Sequence, residues 1–436
     1  MQTHFTEAQL ADPLIREGDA ILRKCVHCGF CTATCPTFVI TGDERDSPRG
    51  RIWMLRELLE SPATVSADTG YHIDRCLGCL SCTTTCPSGV DYAHLLDIGR
   101  EKLEELVPRK PSDRLMRRVL AAIIPHASQF RKVMYLAKLG RLVAFAMPKF
   151  MRAALQKLPR HIPDLDPVGS RTQQFAPPAA SPVADKALVQ RVILLAGCAQ
   201  RALDPDINAS TIRVLNRLGV EVIVRKEAHC CGALAHHVGA MKMADATIRA
   251  AIQAWHEEIS MGHIDAIIAN ASGCGTMVKD YGHVMRHDPE MAPLAAAISA
   301  KTKDICEILA ELDLQSILHP QAVSGYGTLA YHSACSLQHG QKIHDLPMSL
   351  LRHAGFDVVQ PVNGHLCCGS AGVYNILQPA MADELQQRKM TSLHDTGASA
   401  VAAGNIGCMT QLNSDDLPVR HTIQFLDWAS GGPKPV

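Results

Sequence analysis

Hydrophobic runs alternate with amphipathic stretches from about residue 190 to the end of the chain. Short apolar runs such as VILLAGC and LAYHSAC predict buried strands, whereas the periodicity of Asn208–Leu218 and Ile343–His353 predicts helices. Each predicted helix ends near a glycine, Gly219 or Gly355, and a second β-type run follows it (VEVIV and DVVQP). This order is typical of βαβ units, so we expect parallel strands with right-handed crossovers.

The same pattern occurs twice in this part of the chain. A strand-like run ends in a cysteine, and a Cys-Cys-Gly tripeptide begins 32 positions later, from Cys198 to Cys230 and again from Cys335 to Cys367. Each unit closes with an apolar run that ends in Gly-Cys, AIIANASGC or AVAAGNIGC. The repeat predicts two homologous lobes. Eight cysteines are expected just past strand ends, where open α/β sheets bind ligands: Cys198, Cys230, Cys231, Cys274, Cys335, Cys367, Cys368 and Cys408.

Two groups of cysteines near the amino terminus share the spacing C-x2-C-x2-C-x3-C-P. This is the bacterial ferredoxin pattern, in which three close thiolates and one distant thiolate hold each [4Fe–4S] cluster. We therefore assign one cluster to Cys25, Cys28, Cys31 and Cys86, and the other to Cys76, Cys79, Cys82 and Cys35. Gly29 and Gly78 suit a backbone that wraps close to sulfide. Zinc is the less favoured alternative, because each triple leaves a surplus ligand, and a disulfide framework is less favoured still.

The four cysteines of each lobe leave the kind of site open. Converging thiolates at a strand-end crevice suit an iron–sulfur cluster, a zinc ion or a redox-active thiol pair. Nearby His229, His332 and His365 are either ordinary core or surface histidines, which is the more frequent case, or hydrogen-bond donors or an alternative ligand at such a site. Cys306 lies in the apolar helical pattern ICEILAEL and is expected in the core.

Composition narrows the possible functions. The chain has 436 residues, 43 Lys and Arg against 43 Asp and Glu, and only 4% aromatic residues, so a nucleic-acid partner is not expected. Its 17 cysteines, with no signal-peptide pattern and no membrane-spanning apolar run, favour metal or redox chemistry in a reducing compartment.

One segment departs from this balanced charge. Residues 109–160 hold 13 Lys and Arg against a single acid, Asp113. The basic, amphipathic pattern predicts either docking onto an anionic membrane or an acidic partner, or helices that pack across the domains. Pro125, Gly140 and Pro148 break it into short helices, which favours packing.

The predicted fold class is α+β, with five parts. Residues 1–107 form an α-helical, two-cluster ferredoxin-type domain, residues 108–170 a basic helical segment, and residues 171–187 a linker rich in Pro and Ala. Residues 188–325 and 326–436 form the two repeated α/β lobes with parallel sheets.

Several segments together resemble the iron–sulfur subunits of bacterial glycolate oxidase over nearly the whole chain: CVHCGFCTATCPT, GDERDSPRGRI, CPSGVDYAHLLDIGRE, ASGCG, HLCCGSAGVY and NIGC. The paired Cys-Cys-Gly domains also resemble subunits of anaerobic glycerol-3-phosphate dehydrogenase and heterodisulfide reductase. The wider group often ends each unit in C-x-x-C, but Met277 and Gln411 stand at those positions here. This departure puts a five-cysteine cluster in doubt.

The resemblance implies a complex with two flavin-type subunits, which carry FAD and oxidise glycolate to glyoxylate. This chain would pass the electrons to the membrane quinone pool, as a peripheral protein at the cytoplasmic face of the inner membrane. No G-x-G-x-x-G follows a strand, so we expect a relay without catalytic residues of its own. Alternatives are the same role in a D-lactate or glycerol-3-phosphate dehydrogenase, and a zinc-stabilised scaffold without redox turnover.

Overall fold

A computed structural model describes residues 1–140, 162–178 and 191–435. These residues form a helical N-terminal domain, a helical hairpin and two lobes, each built on its own sheet. The α+β fold class predicted from the sequence is confirmed.

The N-terminal domain, residues 1–107, is a set of short helices around the cysteine loops. Its helices are α1 Glu7–Leu10, α2 Pro13–Lys24, α3 Pro36–Thr41, α4 Pro48–Glu60, α5 Ala67–Asp74, α6 Ser81–Thr85 and α7 Tyr92–Leu106. Helices α4 and α7 form its core through Leu55, Leu58 and Leu95. Gly99 lets these two helices approach, since a Cβ at this position would lie 2.0 Å from Cδ2 of Leu55.

The hairpin consists of α8 (Pro111–Ile123) and α9 (Ala127–Gly140). The helices separate at Pro125, as the sequence predicts, whereas Pro148 and the rest of 141–161 lie outside the described residues. Ala121 and Ile124 pack into the core of the first lobe.

The first lobe contains a five-stranded sheet in the order β1-β3-β2-β4-β5. The strands are β1 Gln173–Phe175, β2 Arg191–Leu195, β3 Glu221–Val224, β4 Ala266–Ala269 and β5 Thr302–Asp304. The helices are α10 Ala199–Leu203, α11 Asp206–Arg217, α12 Ala233–His237, α13 Met241–Met261, α14 Ser272–Lys279, α15 Tyr281–Val284, α16 Met291–Lys301 and α17 Ile305–Glu311. All strand pairs are parallel except β1 with β3.

Strand β1 corrects part of the linker prediction for residues 171–187. Gln173 pairs with Val224 and Phe175 with Val222 at the edge of the sheet. An edge strand needs only backbone partners on one side, so a short polar segment can supply it without an apolar run.

The second lobe repeats the plan with four parallel strands in the order β7-β6-β8-β9. The strands are β6 Thr328–His332, β7 Asp357–Val359, β8 Ala400–Ala403 and β9 Val419–His421. The helices are α18 Leu346–His353, α19 Tyr374–Leu377, α20 Pro379–His394, α21 Ile406–Leu412 and α22 Thr422–Ala429.

The two lobes share one hydrophobic core. Val192 and Leu194 of β2 belong to the same buried cluster as Leu329 of β6, while Ile193 faces the opposite layer with Trp255. Helices α11 and α22 pack against each other, and the fully buried carboxylate of Asp427 accepts from Arg213 and Arg217 across this contact. The repeated units therefore form one body rather than two separate domains.

Candidate metal centres

The two N-terminal cysteine loops have the same backbone conformation. His27 and Gly78, each two residues after the first cysteine of its motif, have φ angles of 56° and 61°. Gly29 and Leu80, each four residues after it, have φ angles of 84° and 61°. The sequence pointed to the two glycines only, and it missed that a histidine and a leucine take the left-handed conformation at the matching positions.

The loops enclose two cavities, and each cavity is lined by cysteines of both motifs. Site one is lined by Cys25, Cys28, Cys31 and Cys86, and site two by Cys35, Cys76, Cys79 and Cys82, with Cys82 also reaching site one. The two sets that the spacing predicts therefore lie together, and each includes the pre-proline cysteine of the opposite motif. Four thiols around a pocket between loops are a donor set that fits a [4Fe–4S] cluster.

The sites differ in exposure. Cys28 of site one is exposed, and the exposed side chains of Val26 and Phe30 flank it. Burial and neighbouring cysteines, first Cys25, raise the pKa of Cys31 to about 11. In the absence of a bound metal the thiol of Cys31 would therefore be protonated at neutral pH.

The cysteines of site two are less exposed: Cys35, Cys76 and Cys82 are buried and Cys79 is partly buried. Burial raises the pKa of Cys79 and Cys82 well above the ordinary value. Cys76 behaves differently, because Arg51 and Arg100 more than offset the effect of burial and lower its pKa. The hydroxyl of Tyr92 and the backbone N–H of Gly78 each lie 3.5 Å from Sγ of Cys76.

Each lobe gathers its four cysteines beyond the carboxyl ends of its strands. In the second lobe, Sγ of Cys335 and Sγ of Cys367 are 3.9 Å apart. Contacts between thiols continue from Cys367 to Cys368 and from Cys368 to Cys408. The first lobe repeats this chain of contacts through Cys198, Cys230, Cys231 and Cys274. Hydrogen bonds to the neighbouring thiols of Cys230 and Cys367, followed by burial, raise the pKa of Cys198 and Cys335 well above normal.

The surroundings of the two lobe sites are not equivalent. His332, three residues before Cys335, has a ring nitrogen within 4.8 Å of the sulfurs of Cys368 and Cys408, and neither ring nitrogen has a hydrogen-bond partner in the described residues. Burial lowers the pKa of His332 to about 3. The matching position of the first lobe is the apolar Leu195.

A buried lysine adds to this difference. Lys389, 21 residues after Cys368, is buried and donates to the backbone carbonyls of Asn363 and Gly364. The thiols of the second lobe are close enough to affect its pKa, which burial lowers. Ile252 stands at the corresponding position of the first lobe.

The other singled-out residues lie elsewhere. The ring of His229 stacks on His126 at 5.3 Å between centroids, and the backbone carbonyl of His365 lies 3.2 Å from Nε2 of His339. Cys306 is buried in the shared core, as its helical pattern predicts.

Site two lies directly against the second lobe. Cys79 and Cys335 pack into the same apolar cluster, which Leu77 and Leu385 also join. After burial, Cys335 is the strongest influence that raises the pKa of Cys79. The hydroxyl of Tyr374 donates to the backbone carbonyl of Arg75 at 2.9 Å. The packing of the second lobe against site two therefore brings Cys79 and Cys335, which are 256 positions apart in the sequence, into the same cluster.

The first lobe contacts the N-terminal domain through charged groups. His94 lies between Asp91 at 2.7 Å and Asp280 at 3.0 Å, and its ring stacks on His283 at 3.4 Å between centroids. Burial lowers the pKa of His94, but Asp280 and Asp91 together raise it to about 10. Arg286 pairs with Glu17 beside this stack.

Family models match both parts of the chain. Residues 21–90 match the 4Fe-4S dicluster domain, and residues 192–279 and 329–413 each match the cysteine-rich domain. The glycolate oxidase iron-sulfur subunit of Escherichia coli (strain K12) is 40% identical over 430 residues, 98% of this chain and 99% of that protein. The chain belongs to the family of glycolate oxidase iron–sulfur subunits.

Other relatives extend the comparison. The probable glycolate oxidase iron-sulfur subunit of Bacillus subtilis (strain 168) is 29% identical over 91% of this chain and 89% of its own. Lactate utilization protein A of Geobacillus kaustophilus (strain HTA426) is 24% identical over 51% of this chain and 90% of its own. These relatives support an iron–sulfur electron-transfer subunit of an oxidoreductase.

Within the described residues, we find no helix with the length and apolar character needed to cross a lipid bilayer.

Proposed function

We propose that this chain is the electron relay of a multi-subunit, flavin-dependent glycolate dehydrogenase. Two flavin-type partner subunits would bind FAD and oxidise glycolate to glyoxylate, and the membrane quinone pool would accept the electrons. This chain would bind two [4Fe–4S] clusters, which supply one-electron redox chemistry when bound. Its own residues hold the clusters, exclude water from site two and connect site two to the second lobe.

The interleaving of the two cysteine motifs carries this proposal. Each cavity has three cysteines of one motif and the pre-proline cysteine of the other on its wall, and Cys82 borders both cavities. The proposed ligands are Cys25, Cys28, Cys31 and Cys86 at site one, and Cys76, Cys79, Cys82 and Cys35 at site two. Zinc sites typically use separated pairs of cysteines, whereas each motif here offers three close cysteines and one distant cysteine, which suits a [4Fe–4S] cluster better.

Anaerobic reconstitution tests the cofactor. We expect about eight iron atoms per chain, a brown protein, and a paired-cluster electron paramagnetic resonance spectrum after reduction. A colourless, zinc-loaded protein would instead support the scaffold alternative, in which the chain assembles a complex without redox turnover.

Co-purification from the host tests the partners and the substrate. We expect two flavin subunits in the complex and dye reduction with glycolate. D-lactate is the second candidate substrate, because the chain resembles lactate utilization protein A over half of its length. Activity with D-lactate and none with glycolate would move the proposal to that alternative. Activity with glycerol 3-phosphate alone would instead support the role in a glycerol-3-phosphate dehydrogenase.

The cysteines of the lobes are proposed as further metal or redox sites. The second-lobe set is the stronger candidate, since it adjoins site two and has His332 beside Cys368 and Cys408. Metal analysis of Cys368→Ala beside its first-lobe counterpart Cys231→Ala tests this. Loss of metal from the first variant only would assign the centre to the second lobe.

A peripheral membrane position is proposed from the hairpin α8–α9. Six of its large apolar side chains are exposed, among them Leu115 at 63% and Leu136 at 67%, on a segment rich in basic residues. Basic residues beside exposed leucines suit an anionic lipid surface. We expect the protein to float with anionic vesicles and not with zwitterionic ones. Leu136→Glu should abolish flotation, whereas Met261→Glu, an exposed apolar position on another helix, should not.

A further inference from the structure

A buried guanidinium group lies beside site two. Arg51 is 1% exposed, and its Nη1 is 3.9 Å from Sγ of Cys35 and 3.1 Å from Oγ1 of Thr37. Its Nε donates to the backbone carbonyl of His72 at 2.8 Å. Burying a charge in this way is unfavourable unless its surroundings compensate it, so its position calls for an explanation.

One buried carboxylate faces more than one cation here. Asp46 lies 3.4 Å from Arg51, and it also pairs with Arg75 at 2.8 Å and with Nδ1 of His72 at 2.9 Å. Two guanidinium groups therefore share a single carboxylate. Arg100 adds a third positive charge, which donates to the backbone carbonyl of Cys76 at 2.8 Å. The excess charge next to site two is positive.

Site one has a different environment. Its positive groups are the α-ammonium of Met1, which donates to the backbone carbonyl of Cys25, and Arg49, which is 36% exposed and pairs with Glu44 at 2.7 Å. Both are partly exposed, so solvent screens their charges more than that of buried Arg51. In the part of the chain that the structure describes, no side chain donates a hydrogen bond to a sulfur of Cys25, Cys28, Cys31 or Cys86. At site two, Tyr92 and the backbone N–H of Gly78 both point at Cys76.

We infer, on the basis of the proposed function, that Arg51 gives site two a higher reduction potential than site one. Electrons that enter at the more exposed site one would then be transferred to site two. Reduction adds one negative charge to a centre, and burial alone would oppose it. Nearby positive charge and hydrogen bonds to the sulfurs favour the reduced state and raise the potential. The transfer moves one electron from site one to site two and requires no proton.

This order agrees with the positions of the sites. Site one opens at the surface through Cys28, where a partner can approach. Site two has no exposed cysteine and adjoins the thiols of the second lobe. Arg51 is not itself a metal ligand. It lies beside the proposed ligand Cys35, and its positive charge would raise the electron affinity of the centre in site two.

Potentiometric titration of the reconstituted full-length chain, followed by electron paramagnetic resonance, tests the inference. Arg51→Met should lower only the higher of the two potentials, by at least tenfold in the one-electron equilibrium constant, or about 59 mV. Arg51→Lys keeps the charge and should retain most of the wild-type value. Tyr92→Phe, which removes only a hydroxyl, should shift the same potential in the same direction by less. Arg49→Met is the matched control and should change neither potential by as much.

Two results would overturn the inference. One is an unchanged higher potential in Arg51→Met, and the other is a shift of the lower potential instead. If Arg51→Met does not fold, Arg51→Gln, which also removes the charge but keeps a polar side chain, decides, and an unchanged or raised higher potential in that variant contradicts the inference. A wild-type chain that binds no iron refutes the proposed function itself, which separates that failure from a failure of the role of Arg51.

Discussion

Replacing Cys35 with alanine gives the sharpest test of the site geometry. In the sequence Cys35 belongs to the motif of Cys25, Cys28 and Cys31, but in the structure it lines site two and is only 6% exposed. Site one keeps all four of its thiols in this variant. Site two retains three of four, which leaves one iron of its cluster without a protein ligand. We therefore expect loss of about four of about eight iron atoms, all from site two.

Four variants compared by electron paramagnetic resonance and by iron and sulfide analysis reveal which site is lost. Cys35→Ala should give the same residual spectrum as Cys76→Ala, and Cys86→Ala the same as Cys25→Ala. Cys306→Ala is the control, because this cysteine is equally buried but lies in the shared core, and its iron content should not change. The reasoning fails if the spectrum of Cys35→Ala matches that of Cys25→Ala, since each motif would then hold its own cluster.

Three other changes test the packing and charge of the N-terminal domain. Gly99→Ala would place a Cβ 2.0 Å from Cδ2 of Leu55 and should destabilise the chain by about 1–3 kcal/mol in chemical denaturation. Tyr374→Phe removes the bond to the carbonyl of Arg75 and should lower stability by about 1 kcal/mol; an unchanged midpoint would argue against this contact. The pKa of His94 is raised from 6.5 to about 10, so its stabilising contribution is fully present below pH 6.5 and is lost as the pH rises toward 10. The difference in melting temperature between wild type and His94→Gln should therefore shrink across that range, and a constant difference would refute the charged contact.

Much of the fold follows from local patterns in the sequence. The four apolar runs that lead to Cys198, Cys274, Cys335 and Cys408 all form buried strands, because continuous apolar residues suit strands covered on both faces. The spacing of the cysteines likewise predicts the two interleaved sets, since it reflects the shape of a cluster. Local pattern fails for β1, whose place in the sheet depends on a partner strand and not on its own composition.

Contacts between distant parts of the chain were not predictable in this way. Nothing local to Cys79 or Cys335 indicates that they meet, because the contact depends on how the second lobe packs against the N-terminal domain. The basic residue Arg51 appeared in a recognisable segment, but its burial beside Cys35 depends on the fold. The left-handed conformation of His27 was also not predicted, since residues other than glycine adopt it uncommonly.

The two lobes are similar in sequence and fold, yet they contact the N-terminal domain by different kinds of interaction. The second lobe uses an apolar contact around Leu77 and Leu385, and the first uses ion pairs such as that of Glu17 with Arg286. An apolar contact excludes water, and here it brings the thiols of Cys79 and Cys335 into one packed cluster, an arrangement that would suit electron transfer between a centre in site two and one in the second lobe. Ion pairs near the surface respond to salt and pH. The second lobe is therefore the better candidate to continue the proposed relay, and the attachment of the first lobe is the one that should respond to salt and pH.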